Sequence, residues 1–203
     1  MKENVLEFYV NKVNFLENIN DINLDFIPSI MRRRMSLLDK VTLSVMNEVY
    51  TDDIQNIVFS SQYGEVERLL KIIDQYTENK EVSPNTFSGS VHNYSVGFFL
   101  LNKKKAIPYN VLSACENSIS AGLLASVISD YDKILYCYSD IKNDIPQVMG
   151  VNFSKSKIEK SVKYIIEIQN NKEKKDCFAD FIKLFNSEID FVQTPIYLIK
   201  RVR

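Results

Sequence analysis

Cys115 is the residue of this chain whose setting is most typical of catalysis. It follows the apolar stretch at residues 107–112, where a predicted strand turns into a predicted helix. Backbone N–H groups and the helix dipole at such a turn stabilise a thiolate, which acyl-transfer enzymes use as a nucleophile. A structural interpretation remains open. Ser113 and Glu116 have the S-x-x-E spacing of a helix capping box, which would make Cys115 a buried residue of the first turn, and the Glu116 carboxylate would disfavour a thiolate.

His92 is the only histidine of the sequence, and so the only imidazole that could act as a base for Cys115. A cysteine–histidine pair is sufficient for simple acyl transfer. A single histidine at the start of a helix is more often a hydrogen-bonded structural residue. Both interpretations of His92 stay open at the level of sequence.

Three consecutive arginines, Arg32, Arg33 and Arg34, form a second candidate site. Guanidinium groups bind carboxylates, phosphates and acidic protein surfaces, although a run of charges is also typical of a solvated surface. No GxGxxG, P-loop or HExxH motif occurs, and the three cysteines form no CxxC pair. We therefore expect no cofactor, no metal and no disulfide, and a reducing compartment.

The elements that must position these residues alternate between short apolar strands and helices. Ser36 and Asp39 predict a capped helix over residues 38–49, and residues 143–156 are predicted to form a loop. The predicted strands lie at residues 6–10, 57–59, 107–112, 134–138, 164–168 and 195–202. This order predicts an α/β fold with a mostly parallel sheet and helices on both faces. No linker interrupts it, so we expect a single domain over residues 1–203.

The composition excludes several classes of function. The chain has 203 residues, of which 45% are hydrophobic and 25% charged, as is usual for a globular protein with a real core. Its formal net charge of −1 favours neither nucleic acid nor acidic membranes as a partner. No apolar run is long enough for a signal peptide or a membrane span, so we expect a cytoplasmic protein.

Several segments together resemble the N-terminal half of β-ketoacyl synthases, which have the thiolase fold. Asn93 and Gly97 match that family's N-x-x-x-G segment, and Ala114, Cys115 and Ser118 match its A-C-x-x-S turn. The chain is more closely similar to the small ketosynthase-like proteins of aryl polyene and related pigment pathways. That similarity rests on RRR-x-S at residues 32–36, S-x-x-G-E at 61–65 and S-P-x-x-F-S-x-S-V-H-N at 83–93.

The resemblance implies half of a thiolase fold with a five-stranded sheet, and it implies partners. Such proteins look like chain-length-factor subunits, which form a heterodimer with a ketosynthase in fatty acid or polyketide biosynthesis and work with an acyl carrier protein. The residues that the resemblance and the charge pattern suggest for the interface or for carrier docking are Arg32, Arg33, Arg34, Phe87, His92 and Asn93.

The resemblance also implies that the chain alone is inactive. Cys115 occupies the family's nucleophile position, but a ketosynthase needs two histidines from its second half, and this chain has no counterpart to them. Two alternatives remain open. One is a stand-alone acyltransferase or thioesterase that uses Cys115 and His92. The other is an interaction module without acyl chemistry, whose arginines bind an acidic partner.

Overall fold

The computed structural model describes residues 5–16, 18–169, 171 and 173–202. The strands in these ranges are β1 (Val5–Phe15), β2 (Asn56–Ser60), β3 (Tyr109–Leu112), β4 (Lys133–Lys142), β5 (Ile145–Ser154), β6 (Val162–Ile168), β7 (Phe191–Gln193) and β8 (Tyr197–Arg201). The helices are α1 (Ser29–Arg32), α2 (Leu37–Val49), α3 (Val66–Thr77), α4 (Pro84–Gly89), α5 (Tyr94–Lys103), α6 (Ser118–Ile128) and α7 (Phe178–Phe185).

All strands belong to one sheet with the order β3-β2-β4-β5-β1-β6-β8-β7. β2 runs parallel to β3 and β4, while β5 pairs antiparallel with both β4 and β1. Four of the first five strands in this order therefore point the same way, and β5 is reversed. β6, β8 and β7 extend the sheet beyond β1 by antiparallel pairing. The predicted α/β class is confirmed. Within the described ranges the sheet has eight strands instead of the five expected, and five of its seven pairings are antiparallel, so the expectation of a mostly parallel sheet holds only around β2.

Helices cover both faces of the sheet, as predicted. Alternate residues of a strand point to opposite faces. Phe59 of β2 belongs to the hydrophobic core that contains residues of α2 and α5, whereas its neighbour Val58 belongs to the core that contains residues of α6 and α7. The capping box predicted at Ser36 is also confirmed. The Asp39 backbone N–H donates to the Ser36 hydroxyl at 2.9 Å, and the Ser36 N–H donates to the Asp39 carboxylate at 3.1 Å.

The loop predicted at residues 143–156 is wrong, because most of that segment is strand β5. Asn143 and Asp144 have φ angles of 51° and 63° and form a two-residue turn between the paired residues Lys142 and Ile145. Asn and Asp tolerate this left-handed geometry, and it matches the twist of a hairpin. The turn allows β4 to continue past Tyr138, where the strand was expected to end.

Candidate functional site at the Cys115 turn and the Arg68 cluster

Cys115 lies at an exposed, left-handed turn after β3. Its φ is 51°, a conformation that non-glycine residues adopt rarely and that recurs at functional sites. The Ser118 hydroxyl holds the turn closed, since it accepts the Ala114 N–H at 3.0 Å and donates to the Cys115 carbonyl at 2.7 Å. The thiol therefore stands at an elbow ahead of α6, as the nucleophile interpretation requires.

The capping box predicted for Ser113 and Glu116 does not form. Ser113 donates instead to the Gln62 carbonyl at 3.3 Å, and α6 begins only at Ser118, after a single 3-10 turn. The S-x-x-E spacing fails because the left-handed residue at position 115 interrupts the helical backbone that a capping box needs. The burial expected for Cys115 in that interpretation is also wrong, because its side chain is exposed.

Glu116 is a charged neighbour of the thiol. Its carboxylate pairs with Lys175 at 2.7 Å, and this contact lowers the pKa of Glu116. The carboxylate faces a cavity of about 440 Å³ beside the carboxyl ends of β2 and β4. Tyr138, Asp140 and Asp176 are among the residues that line it, and no histidine is. The cavity can hold a small polar group, but its lining offers no imidazole for acyl condensation.

His92 is not among the residues that line this cavity. Its ring packs edge-on against Phe59 with the centroids 6.0 Å apart, and it fills the space beside Gly64. Burial lowers the pKa of His92, and the charge of Asp140 partly opposes that effect. Its Nε2 is buried and has no hydrogen-bond partner in the described part of the chain.

The structure does not join His92 to Cys115. Phe59, which the imidazole contacts, belongs to the core on the α2 and α5 face of the sheet, while Cys115 opens the turn into α6 on the other face. Among the described residues, no hydrogen bond links the thiol to the imidazole.

Arg68 lies at the centre of a buried polar cluster, and sequence reasoning missed it. Its guanidinium contacts the Asp39 carboxylate at 2.6 Å and the Glu65 carboxylate at 3.4 Å. It also donates to the backbone carbonyls of Gly89 at 2.8 Å and of Arg34 at 3.1 Å. Three segments of the chain, at residues 34–39, 65–68 and 89, therefore meet at one side chain.

The cluster explains why three separated sequence blocks occur together. Residues 32–36 contribute the Arg34 carbonyl and the Ser36 hydroxyl, which donates to Glu65 at 2.6 Å. Residues 61–65 contribute Glu65, and residues 83–93 contribute Gly89, where a Cβ atom would overlap the guanidinium. The blocks thus build one structural site. In the sequence, Arg68 is recognisable only as a positively charged residue on the side of helix α3 opposite most of its apolar residues.

The other predicted site residues are spread over the surface around this cluster. Arg32 donates to the Ile27 carbonyl at 2.7 Å and pairs with Asp25 at 3.5 Å, whereas Arg33 and Arg34 have exposed side chains. Phe87 of α4 is 64% exposed. Asn93 donates to the Tyr109 hydroxyl of the edge strand β3 at 3.2 Å.

Helix α3 presents an unusual surface. Five of its six apolar side chains share one face, here named the α3 apolar face: Val66, Leu69, Leu70, Ile73 and Tyr76. The sixth, Ile72, is half-buried on the side of Arg68. This face points away from the body of the protein, and Tyr76 is 78% and Leu70 54% exposed. The buried residue of α3 is Arg68, on the opposite side. Exposed apolar surface of this kind is typical of protein interfaces.

The described residues contain no group of histidine, cysteine, aspartate and glutamate side chains that could hold a metal ion. No helix within the described ranges is long and apolar enough to cross a membrane.

Two comparisons with known proteins return matches. The family described as "Beta-ketoacyl synthase, N-terminal domain" matches residues 10–173. Among solved structures, the fold is similar to a chain from the complex of the ketosynthase ApeO with its chain length factor ApeC from Xenorhabdus doucetiae. That match has a TM-score of 0.69 and 15% identity, and it covers 98% of this chain and 97% of the other. No curated protein sequence matches.

Proposed function

The chain belongs to the family of β-ketoacyl synthase N-terminal domains, and we propose that it is a non-catalytic, chain-length-factor-type subunit that pairs with a ketosynthase. Such a subunit would bury one face against the enzyme and help to shape the tunnel that holds the growing acyl chain. We place it in fatty acid or polyketide synthesis of the aryl polyene kind, in the cytoplasm, as a single domain over residues 1–203.

The observation that carries the proposal is the exposed α3 apolar face. A helix this short is only marginally stable in water and normally gains its stability by packing an apolar side against other protein. Here that side is uncovered, and α4, which packs against α3, also exposes Phe87. A ketosynthase subunit seated on α3 and α4 would cover these side chains. Without it, we expect the isolated chain to associate with itself through the same face.

The arrangement around Cys115 supports the absence of activity in the chain alone. The elbow presents a thiol, but the nearby cavity lacks a histidine, and His92 packs on the other face of the sheet. Among the described residues, the thiol therefore has no imidazole beside it that could remove its proton or support condensation. The fold is also compatible with the proposal, since it is similar over 98% of this chain to a chain from a ketosynthase–chain length factor complex.

The exposed arginines suggest where a carrier protein would bind. Arg33 and Arg34 extend their guanidinium groups into solvent beside α1, and acyl carrier proteins present acidic surfaces. We assign these two side chains to carrier docking, and Arg32 to holding the loop that carries Asp25 and Ile27.

An activity assay tests the proposal. The chain, a ketosynthase encoded in the same gene neighbourhood, and the two together are each given an acylated carrier protein and an extender unit. We expect no acyl transfer, hydrolysis or elongation from the chain alone. We expect the pair to elongate the acyl chain faster than the ketosynthase alone does, or to give products of a different length. Hydrolysis or transfer by the isolated chain, abolished by Cys115→Ala, would instead establish the stand-alone enzyme.

A further inference from the structure

The segment that carries the exposed apolar surface, α3 with α4 (residues 66–89, the α3–α4 segment), is attached to the body through a buried ionic cluster. Arg68 is the buried residue of α3, and it reaches the body through Asp39 of α2 and the Arg34 carbonyl. Its bond to the Gly89 carbonyl ties α4 to the same point. Docking of the segment therefore depends on the charge balance around one guanidinium.

That charge balance is uneven, because two carboxylates face one cation. Asp39 is fully buried and accepts from the Ser95 hydroxyl at 2.7 Å, and Glu65 is nearly buried. Three other ionisable side chains lie near them. The Tyr94 ring lies 5.0 Å from the Arg68 guanidinium, His92 contacts Gly64, and Glu67 is exposed at the start of α3. With both carboxylates ionised, the cluster keeps one uncompensated negative charge away from water, which is unfavourable.

A proton on Glu65 removes this excess. Burial is the main cause that raises the pKa of Glu65 from 4.5 to about 7, and the charge of Asp39 adds to it. A cavity of about 60 Å³, lined in part by Ser36, Glu65 and Val66, lies beside the carboxyl group. It is large enough for a water molecule, so protons can reach the site from solvent.

We propose that the α3–α4 segment is a proton-controlled latch, in which protonation of Glu65 holds the segment against α2 and loss of that proton loosens it. The step is a simple proton transfer, in which the Glu65 carboxylate takes a proton from water and releases it as the pH rises. The latch is a property of the isolated chain. Its consequence for partner binding, through the position of the α3 apolar face, rests on the proposed function.

The direction of the pH effect follows from the raised pKa. A carboxyl group that is easier to protonate in the docked state stabilises docking fully below pH 4.5 and loses that contribution as the pH rises to about 7. His92 acts in the opposite direction, because its lowered pKa favours the docked state at higher pH. An experiment must therefore separate Glu65 from His92.

Hydrogen exchange of the backbone amides in the α3–α4 segment separates the two effects. The exchange is measured on the full chain at pH 6 and at pH 8, for the wild type and for Glu65→Gln. The glutamine mimics the protonated acid and leaves His92 unchanged. The quantity to compare is the ratio of the amide protection factors of the wild type to those of the variant at the same pH. We expect this ratio to fall about tenfold between pH 6 and pH 8. Asp74→Asn removes an exposed carboxylate of the same helix and should behave as wild type does.

If the ratio of wild-type to variant protection stays constant within about twofold between pH 6 and pH 8, the latch proposal is wrong. Carbon-13 NMR of the wild-type carboxyl groups covers the case in which Glu65→Gln does not fold. There we expect Glu65 to titrate near neutral pH together with the amides of α3, and titration in the ordinary range for glutamate would contradict the proposal. No ketosynthase is present in either measurement, so failure here leaves the proposed subunit function standing.

Discussion

The guanidinium of Arg68 lies 2.6 Å from the carboxylate of Asp39, and both side chains are almost wholly buried, with 8% and 0% of their surface exposed. This contact joins α3 to α2. The same guanidinium also contacts the Arg34 carbonyl, the Glu65 carboxylate and the Gly89 carbonyl, one from each of the three sequence blocks by which the chain resembles ketosynthase-like proteins. The blocks therefore fix the position of the α3–α4 segment on the sheet, and with it the direction of the α3 apolar face.

Removal of Arg68 should destabilise the fold strongly. Arg68→Leu leaves Asp39 and Glu65 buried without a cation, and loss of one partner from a buried pair costs about 3–5 kcal/mol. Denaturant unfolding of the isolated chain at pH 7 measures the change. Arg33→Gln, which replaces an exposed guanidinium nearby, should stay within about 0.5 kcal/mol of wild type. A loss below about 1 kcal/mol for Arg68→Leu would mean that the cluster does not hold the segment.

Gly64 is the second structural position that we expect to resist substitution. Its φ is 55°, and a Cβ atom would lie 2.7 Å from Nδ1 of His92. Gly64→Ala should cost about 2 kcal/mol or more in unfolding free energy, from backbone strain of about 1–2 kcal/mol together with the collision. In a His92→Ala background the collision disappears, so the loss of unfolding free energy caused by Gly64→Ala should fall towards the part that comes from backbone strain.

A control for the Gly64 and His92 substitutions lies on α5. Gly97→Ala meets only the Tyr109 hydroxyl, at 3.8 Å, and should be neutral or stabilising by up to about 1 kcal/mol, because alanine favours a helix. Equal costs of Gly64→Ala with and without His92 would show that the imidazole does not occupy the space beside the glycine.

We predict that Cys115→Ala leaves elongation by the reconstituted pair within about twofold of wild type, because no histidine lines the cavity beside the thiol. The assay follows elongation of a carrier-bound acyl chain. The control is a variant of the ketosynthase that lacks its own nucleophile. If Cys115→Ala abolishes elongation to the same extent, this chain contributes the reacting thiol and its assignment as non-catalytic is wrong.

The arginine block should divide into two roles. Arg32→Gln removes the donor to the Ile27 carbonyl and should lower stability by about 1 kcal/mol. Arg33→Ala and Arg34→Ala should leave stability unchanged and weaken binding to an acyl carrier protein by several-fold, more so at low salt. Calorimetric titration with the carrier protein measures this, and unchanged affinity in both variants would make the two side chains ordinary solvated charges.

Local signals made part of the structure predictable. The Ser36 capping box and the strand at residues 57–59 depend on neighbouring residues, and the sequence shows both. The hairpin of β4 and β5 is hard to predict for two reasons. The left-handed Asn143–Asp144 turn lacks the glycine of the commonest two-residue hairpin turns, and Pro146 and Gly150 make residues 145–154 an atypical strand. Both reasons are local and do not involve tertiary contacts.

The site was less predictable, because it depends on segments that are distant in the sequence. The spacing of Val66, Leu69, Leu70 and Ile73 predicts an apolar helix face, and that is correct. Periodicity cannot tell whether the face is covered by this chain or by another, and here this chain covers the opposite side, at Arg68. The partners of Arg68 lie on α2, before α3 and at the end of α4, so no local pattern identifies them.

The most direct test of the account is the molar mass, by light scattering after size-exclusion chromatography, of this chain co-expressed with its ketosynthase. We predict a complex with one copy of each chain. Leu70→Glu, which places a charge on the α3 apolar face, should weaken it at least about tenfold, equivalent to about 1.4 kcal/mol. Ile145→Glu, at a similarly exposed apolar position on β5, should leave it intact. A monomer that binds no ketosynthase, or a Leu70→Glu chain that pairs as wild type does, would contradict the account.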